Sequence, residues 1–497
     1  NVNPITRLDY PDPDVIRVED TYYMVSTTMH FMPGCEILQS FDLVHWEHVT
    51  YVYETLDHTD AQQLKSGQNI YGQGMWAASL RYHEGRFYIC FVANDTRKTY
   101  LYTSEKIDGP WKKQLIEGFY HDGSLLFDED GRNYIVYGND EIWITELNED
   151  LTAPKKDGLH RLLVSDHKNP ELGYEGSHIQ KINGYYYIFL VHSLRDRWMR
   201  TEACFYSDSL EGEFTGGDVL CDDRGYCGQG VAQGGIVDTP DGKWYAMLFQ
   251  DSGAVGRIPI LLPVTWKDHF PFFGQNGHVP EEIEVHSTRP GYIYQPLVGS
   301  DDFCNGLLPR WQFNHDPDPR YYHLDALQGT YTITTREVCT ELTQAVNTLT
   351  QRMSYPSCAA EVTVDASALK EGDVAGLCAL QSCYAAVGIT KHHGKYEVLM
   401  LDKKEDGILD MTEGTVVESH QMDFRLEADF CNMKDEARCY YRVNKGDWLP
   451  IGTVHKLYFK LDHFTGCRFG LFCYAAEETG GSACFRDFKY YDVDEIS

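Results

Sequence analysis

Three acidic residues stand in loops ahead of aromatic-rich segments, where their neighbours could hold a carboxylate in a fixed place. Asp12 lies between Pro11 and Pro13 in NPITRLDYPDPDVIRV, and proline restricts the backbone on both sides of it. Asp122 lies in GFYHDGSLLFDEDGRNYIVY, and Glu175 lies in GYEGSHIQKINGYYYIF. One protonated and one ionised carboxyl group can share the acid–base catalysis of a hydrolysis, so these three acids are the candidate catalytic residues.

Each of these acids also has a structural interpretation. A PDPD tetrapeptide is typical of a turn, in which Asp14 is the better turn residue of the two acids. Glu175 stands beside Gly176, which is common in loops of any kind. Position favours a shared site, because Asp12, Asp122 and Glu175 each precede a similar aromatic segment.

Those aromatic segments form a fivefold repeat, which indicates the elements that must position the acids. The repeats are DTYYMV at 20–25, RFYICF at 86–91, RNYIVY at 132–137, GYYYIFL at 184–190 and KWYAML at 243–248. Their spacing of about fifty to sixty-five residues suits one four-stranded blade each, which predicts a five-bladed β-propeller. A propeller gathers the inner strands of its blades around one axis, so acids far apart in sequence can converge.

The repeat ends near Trp266, well before the end of the 497-residue chain. Beyond the turn-rich stretch IEVHSTRPGYIYQPLVGS come short alternating runs such as GTYTITT, AAEVTVDA and YEVLMLD. Alternation with a period of two predicts half-buried strands, and many short strands between turns predict a β-sandwich. We therefore expect an all-β protein, with a propeller at 1–290 and a sandwich at 301–497.

Composition limits the partners and the compartment. A formal net charge of -32 argues against nucleic acid and membrane partners, since both need a basic protein surface. No apolar run approaches the roughly 18 to 20 residues that span a bilayer. No signal sequence is visible, although removal of a leader would leave secretion open. The odd number of cysteines, 15, favours a reduced cytoplasm for a chain of this size.

Several other chemistries lack their sequence signatures. The chain has no HExxH or CxxC metal motif, no Walker loop and no GxSxG motif. The segment GQGVAQGG near residue 228 follows no strand-to-helix pattern, so it does not indicate a nucleotide site. We therefore expect chemistry that rests on carboxylates and needs no cofactor for catalysis.

Five ordered motifs resemble those of glycoside hydrolase family 43. They are NPITRLDYPDPDVIRV, MWAASLRYHEGRFYIC, HDGSLLFDEDGRNYIV, YEGSHIQKINGYYYIF and AQGGIVDTPDGKWYAMLFQDSGAVGRIPIL. The segment WQFNHDPDPRYY resembles the start of the C-terminal sandwich domain of that family. The resemblance covers nearly the whole chain, and it implies a catalytic propeller, a concanavalin- or lectin-like sandwich and a glycosidase activity.

The resemblance also implies a role for each acid. Asp12 would be the general base that activates water, Glu175 the general acid, and Asp122 the residue that orients Glu175 and helps it keep its proton. Such a reaction inverts the anomeric centre and needs roughly 6.5 to 9.5 Å between the two catalytic carboxyl groups. Because Glu175 must be protonated while Asp12 is ionised, we expect Glu175 to lie in drier and more negative surroundings.

Five further residues are predicted to contact the sugar, of which the two aromatic residues and the arginine match active-site positions of the family. They are Phe31, Trp76, His178, Arg257 and His315. Arg257 would bind a hydroxyl group or keep Asp12 charged, and the aromatic rings would face the sugar. His315 lies beside Asn314 on a loop that reaches the site from the sandwich in some relatives. For each residue, core packing or a purely structural contact is the alternative.

The resemblance implies at most a structural metal ion. Many relatives carry a histidine just before QGG that binds a central calcium ion or water, whereas here Ala232 precedes Gln233. The remaining metal prediction is a structural calcium ion in the sandwich, held by Asp302 and Asp487 through oxygen ligands.

These features predict an inverting exo-glycosidase that releases α-L-arabinofuranosyl units from plant arabinoxylan, arabinan or xylo-oligosaccharides. β-D-Xylosyl units offer similarly placed hydroxyl groups, so xylosidase activity is an additional or alternative prediction. A retaining fructan hydrolase is less favoured, because those enzymes place the acid near a cysteine, whereas Gly176 follows Glu175 here. A non-catalytic carbohydrate-binding propeller is the alternative from another class, and the presence of all three acids argues against it.

Overall fold

The computed structural model describes residues 2–496, which form β-strands, connecting loops and five short 3-10 helices. The helices are Lys65–Gly67, Gly253–Val255, Pro319–Tyr321, Leu342–Gln344 and Cys431–Met433. None of the helices in this range is long and apolar enough to cross a membrane. The strands follow from the alternating β-branched and aromatic residues that dominate the sequence.

Twenty strands form five antiparallel four-stranded blades, which confirms the predicted propeller. Blade 1 contains β1 (Asp14–Val18), β2 (Thr21–Val25), β4 (Gly34–Ser40) and β5 (Glu47–Tyr53), with β3 (Phe31–Met32) between β2 and β4. Blade 2 contains β6 (Met75–His83), β7 (Arg86–Ala93), β8 (Lys98–Ser104) and β9 (Lys112–Ile116). Blade 3 contains β10 (Ser124–Phe127), β11 (Asn133–Asn139), β12 (Glu141–Leu147) and β13 (His160–Ser165). Blades 4 and 5 contain β14 (Glu175–Ile182), β15 (Tyr185–Ser193), β16 (Arg200–Ser207), β17 (Thr215–Leu220), β18 (Ile236–Asp238), β19 (Trp244–Asp251), β20 (Arg257–Lys267) and β21 (Phe270–Phe273).

The aromatic repeat forms the second strand of each blade, where both faces are covered. In β15, for example, every residue after Tyr185 is buried, because neighbouring blades pack on both sides of the strand. The first strands β1, β6, β10 and β14 contact one another in this order, and β18 contacts β1. Asp12 and Asp122 therefore precede, and Glu175 begins, strands that surround one axis.

Two sheets form the C-terminal sandwich, which confirms the second part of the fold prediction. The first contains β22 (Gln312–Asn314), β25 (Leu349–Arg352), β27 (Val374–Leu380), β28 (Ala385–His392), β29 (Lys395–Lys403), β30 (Leu409–Met411), β31 (Thr415–Val417) and β35 (Arg468–Tyr474). The second contains β23 (Tyr322–Asp325), β24 (Thr330–Thr334), β26 (Ser357–Asp365), β32 (Gln421–Asp429), β33 (Glu436–Arg442), β34 (Leu449–Lys456) and β36 (Ser482–Tyr491). Apolar side chains from both sheets, among them Leu377 and Phe424, form a single buried core.

The two domains share a sheet. The short strand β3 leaves blade 1 and pairs with β22 of the sandwich, with Phe31 opposite Asn314. A buried ion pair also crosses the interface, since Arg352 Nη1 lies 3.1 Å from Glu36 Oε1. Main-chain pairing and buried charge together fix the orientation of the sandwich relative to blade 1.

Asp9 extends this connection to the end of the propeller where the candidate acids lie. Its Oδ1 atom accepts a hydrogen bond from the N–H of Arg257 at 2.8 Å, and its Oδ2 atom accepts one from the N–H of Gly466 at 2.9 Å. One carboxylate therefore ties the start of blade 1 to blade 5 and to a loop of the sandwich. That loop is held close to Asp12.

All fifteen cysteines are free thiols. Several lie in the core, where burial raises the pKa of Cys90 and of Cys358 to about 12, so these thiols are uncharged. They therefore pack as small apolar side chains. The cytoplasmic location stays a prediction.

Candidate active site

Three side chains hold Asp12, the candidate base. Its Oδ2 atom accepts a hydrogen bond from Thr27 Oγ1 at 2.6 Å, and its Oδ1 atom accepts one from Gln233 Nε2 at 2.8 Å. Nη1 of Arg257 lies 3.4 Å from the same Oδ1 atom. The φ angle of Asp12 is 55°, in the left-handed region that aspartate enters more readily than most residues. Contacts to both oxygen atoms fix the orientation of the carboxylate.

Asp122 is buried and is held by the backbone of Gly176 and by the side chain of His121. Its Oδ2 atom accepts a hydrogen bond from the N–H of Gly176 at 2.9 Å. Burial raises the pKa of Asp122, but the positive charge of His121 and hydrogen bonds from His121 and Gly176 outweigh this effect and lower it overall. Asp122 is therefore ionised at neutral pH, next to the residue that follows Glu175.

Glu175 is the most exposed of the three acids. Its side chain is 22% exposed, whereas that of Asp12 is 9% exposed. Its Oε1 atom accepts a hydrogen bond from Asn139 Nδ2 at 3.1 Å. The expectation of drier surroundings for Glu175 is therefore wrong, because Gln233 and Arg257 cover Asp12 while the Glu175 carboxyl group remains open to solvent.

His121 lies between Asp122 and Glu175 and is not among the site residues predicted from the sequence. Its Nε2 atom is 3.3 Å from Asp122 Oδ2 and 3.9 Å from Glu175 Oε2. The negative charge of Asp122 raises the pKa of His121 to about 11, so the imidazole is positively charged at neutral pH. This cation offsets part of the negative field that we expected around Glu175. Its position immediately before Asp122 in GFYHDGSLL could have identified it as a residue of the site.

Gln233 lies between the base and Gly176, the residue that follows Glu175. Its Nε2 atom donates to Asp12, and on the opposite side its Cγ atom would lie 2.7 Å from a Cβ atom added to Gly176. Gly176 also has a φ angle of 66°, so both space and backbone conformation require glycine there. Gly176 follows Glu175 and donates to Asp122, so the Gln233 side chain links Asp12 to the backbone that holds the other two acids.

Arg257 and Trp76 offer hydrogen-bond donors to a ligand. The Nε and Nη2 atoms of Arg257 and the Nε1 atom of Trp76 are buried and have no partner among residues 2–496. Buried donors without a partner cost free energy, and sugar hydroxyl groups would satisfy them. The predicted contacts of these two residues with substrate stay predictions, which this geometry supports.

Phe464 completes the site from the sandwich, and no sequence pattern predicted it. Its ring centroid lies 4.3 Å from the guanidinium carbon of Arg257 and 5.6 Å from the ring centroid of Trp76. Trp76 in turn lies 6.4 Å from the ring of His121. Contacts therefore form a closed ring, the site ring, whose members are Asp12, Arg257, Phe464, Trp76, His121, Asp122, Glu175, Gly176 and Gln233.

Phe31 and His315 lie inside the domain interface. Phe31 is 1% exposed, with the guanidinium carbon of Arg468 3.5 Å from its ring centroid. His315 is fully buried, its Nε2 atom accepts a hydrogen bond from the N–H of Ile70 at 2.9 Å, and its Nδ1 atom lies 3.4 Å from Asn314 Oδ1. The structure does not support the predicted sugar contacts, because Phe31 exposes no ring face and both nitrogens of His315 have protein partners.

His178 also has a structural role at the axis. Its Nδ1 atom lies 3.1 Å from Asp14 Oδ1, and Asp14 Oδ2 accepts hydrogen bonds from Arg81 Nη1 at 3.0 Å and from the N–H of Leu80 at 2.7 Å. Burial raises the pKa of Asp14, but Arg81 and His178 lower it overall. Asp14 is thus a buried carboxylate that joins the first strands of blades 1, 2 and 4, and the expectation of a turn residue is wrong.

The predicted calcium ligands lie together on the sandwich surface. Asp302 and Asp487 line one pocket, which Asp301, Arg310 and Lys489 also line. Both carboxylate oxygens of Asp301 already accept hydrogen bonds from the protein. Calcium takes six to eight oxygen ligands, and the other two carboxylates lie beside two basic side chains. Within residues 2–496, neither aspartate belongs to a group of three close His, Cys, Asp or Glu ligands. The structural calcium ion stays a prediction.

Family comparison agrees with both halves of the chain. The model of glycosyl hydrolases family 43 matches residues 2–271, more than half of the chain. The model of the beta-xylosidase C-terminal concanavalin A-like domain matches residues 300–491. The first match covers the five blades up to the start of β21, and the second contains strands β22 to β36 of the sandwich.

Relatives match along the whole chain. A beta-xylosidase of Formosa agariphila is 26% identical over 99% of this chain and 89% of its own length. A non-reducing end alpha-L-arabinofuranosidase of Bacteroides ovatus is 24% identical over 82% of this chain and 79% of its own length.

Solved structures share the two-domain architecture. A bifunctional GH43-CE protein of Bacteroides eggerthii superposes with a TM-score of 0.93 and 42% identity over 100% of this chain, which spans 64% of that protein. A GH43 glycoside hydrolase engineered to display both endo-xylanase and exo-arabinofuranosidase activity superposes with a TM-score of 0.85 and 28% identity over 99% of each chain. This chain belongs to glycosyl hydrolase family 43 and is a glycosidase.

Proposed function

We propose that the protein is an inverting, exo-acting glycosidase that releases α-L-arabinofuranosyl units, and also β-D-xylosyl units, from plant hemicellulose oligosaccharides. The site ring is the observation that carries this proposal. It brings a buried carboxylate, a solvent-open carboxyl group and unpartnered donors to one site. Relatives named as a beta-xylosidase and as an alpha-L-arabinofuranosidase support the two sugars.

In the proposed reaction, Asp12 takes a proton from the attacking water while Glu175 protonates the leaving oxygen. Thr27 and Gln233 hold the two oxygen atoms of Asp12, so that the carboxylate need not reorganise during the reaction. The exposed position of Glu175 suits its role, because the leaving oligosaccharide must extend from the acid toward solvent.

β-D-Xylosidase as the main activity is the second candidate. The match of the sandwich to a beta-xylosidase C-terminal domain favours it. Arg257 and Trp76 offer donors to hydroxyl groups that both sugars carry, so these two residues do not separate the candidates.

The test is to measure kcat/KM on 4-nitrophenyl α-L-arabinofuranoside and on 4-nitrophenyl β-D-xyloside under identical conditions. A dominant arabinoside rate would assign an arabinofuranosidase, comparable rates would assign a bifunctional enzyme, and a dominant xyloside rate would reverse the proposed order. If the protein hydrolyses neither aryl glycoside and also leaves arabinan and xylan fragments intact, the proposal is rejected.

Replacing Asp122 with asparagine should move the basic limb of the pH profile of kcat/KM to lower pH, by about one unit. The substitution removes the negative charge of Asp122 from beside Glu175, so Glu175 loses its proton at lower pH. Asp128→Asn is a suitable control, because that buried aspartate accepts a hydrogen bond from Tyr186 Oη beyond the far end of β10. An unchanged basic limb in the Asp122→Asn enzyme would show that Asp122 does not help Glu175 to keep its proton.

A further inference from the structure

Glu202 is a buried acid for which the proposed reaction gives no role. It lies on β16, the third strand of blade 4, and is 0% exposed. Its Oε1 atom accepts a hydrogen bond from the N–H of Gln233 at 2.9 Å, and its Oε2 atom has no partner in the described part of the chain. Such a carboxyl group is expensive to bury, and its single bond goes to a residue of the site ring.

That bond bears on the conformation of Gln233. The φ angle of Gln233 is 68°, in the left-handed region that residues other than glycine occupy only when their surroundings hold them there. Because the backbone conformation sets the direction of the side chain, it decides whether Nε2 points at Asp12. A small rotation would break the 2.8 Å bond to Asp12 and the packing against Gly176.

We propose that Glu202 is a positioning residue for the hydrolysis, which acts by holding the N–H of Gln233 so that the glutamine side chain orients Asp12. This inference rests on the proposed role of Asp12 as the base. Glu202 does not touch the reacting atoms. It contacts the backbone of Gln233, and the side chain of Gln233 contacts Asp12.

Glu202 fills this role as an uncharged acid. Burial raises the pKa of Glu202 well above its ordinary value, and the hydrogen bond from Gln233 reverses only part of that shift. A glutamine at this position would keep both the acceptor oxygen and the neutral state, whereas a leucine would keep the volume and lose the acceptor. The two substitutions therefore separate hydrogen bonding from packing.

The kinetic test compares Glu202→Gln and Glu202→Leu on the aryl glycoside that the wild-type enzyme cleaves best. We expect Glu202→Gln to retain kcat within about twofold, and Glu202→Leu to lose about 10- to 100-fold in kcat with little change in KM. Glu146→Leu is the matched control. Glu146 is a buried acid on the third strand of blade 3 that accepts the N–H of Leu159 at 3.1 Å, far from the site ring, and its loss should leave kcat unchanged.

A double-mutant cycle distinguishes positioning from general destabilisation. Gln233→Asn keeps a residue that tolerates the left-handed conformation, but its shorter amide cannot reach Asp12. In that background, Glu202→Leu should cause no further loss of kcat. Independent losses that multiply would overturn the proposal, and so would a Glu202→Gln enzyme as slow as Glu202→Leu. Where the leucine variant does not fold, Glu202→Met takes its place, because methionine also lacks the acceptor oxygen.

Crystal structures of the two variants give a readout that does not depend on activity. We expect the distance between Gln233 Nε2 and Asp12 Oδ1, 2.8 Å here, to persist in Glu202→Gln and to exceed about 3.5 Å in Glu202→Leu. An unchanged contact in the leucine variant would reject Glu202 as a positioning residue. Wild-type inactivity on both glycosides and on arabinan and xylan fragments would instead reject the proposed function, while the crystallographic comparison would still decide the role of Glu202.

Discussion

Replacing Glu175 with alanine should abolish the hydrolysis of natural oligosaccharides and spare part of the activity on aryl glycosides. A sugar hydroxyl group is a poor leaving group unless the acid protonates it, and such catalysis contributes about 10²- to 10⁴-fold. The 4-nitrophenolate ion leaves without a proton. We therefore expect kcat/KM to fall at least about 10³-fold on oligosaccharides and about tenfold on 4-nitrophenyl glycosides.

Measuring both substrate types with the same enzyme preparation makes this prediction specific to the acid. Glu171→Ala is the control, because Glu171 is an exposed acid in the loop that leads to Glu175, and its loss should change neither rate. The Glu175→Ala enzyme should also lose the basic limb of its pH profile on aryl glycosides, since no acid remains to be deprotonated. Equal losses on both substrate types would contradict the assignment of Glu175 as the acid.

Replacing Asp12 should inactivate the enzyme on every substrate, because activation of water is needed whatever the leaving group. Asp12→Asn is preferable to Asp12→Ala, because asparagine retains the shape and also tolerates the φ angle of 55°. We expect kcat/KM to fall at least about 10³-fold on oligosaccharides and aryl glycosides alike. Asp20→Asn is the control, since Asp20 lies in blade 1 but pairs with Arg289 at 2.9 Å.

The stereochemistry of the wild-type reaction tests whether Asp12 is a base or a nucleophile. An inverting enzyme that cleaves a β-D-xyloside releases α-D-xylose first, and NMR spectra recorded within minutes identify that anomer before mutarotation. Initial release of β-D-xylose would mean that a carboxylate attacks the sugar directly. The Asp12 variants would then still be inactive, so the anomer and the rates must be measured together.

Local sequence was enough to predict the propeller and its three acids. The five aromatic segments form the second strands of the five blades, because a short continuous apolar run bounded by turns favours a strand that is covered on both faces. The acids could be selected because each stands in a loop next to a blade, and neighbouring prolines or glycines mark such loops. This information lies within about ten residues of each acid, which makes it visible without the fold.

The wrong predictions concern residues whose partners are distant in sequence. His315 follows the motif WQFNH, but its ring nitrogen accepts the N–H of Ile70, which lies in the propeller. Asp14 stands in a turn-like PDPD sequence, yet Arg81 and His178 make it a buried ionised group. No local pattern records such contacts, since they exist only once the first strands meet around the axis.

Sequence patterns alone predicted the all-β fold, the division into propeller and sandwich, and the identity of the candidate acids. The solvent exposure of each acid, the place of His121 between two of them and the contact of Phe464 with the site ring became visible only in the folded chain. So did the contacts that link Glu202 through Gln233 to Asp12. This difference follows from the range of the interactions. Strand alternation and turn chemistry act between neighbouring residues, whereas burial and electrostatic fields depend on every group that packing brings within a few ångströms.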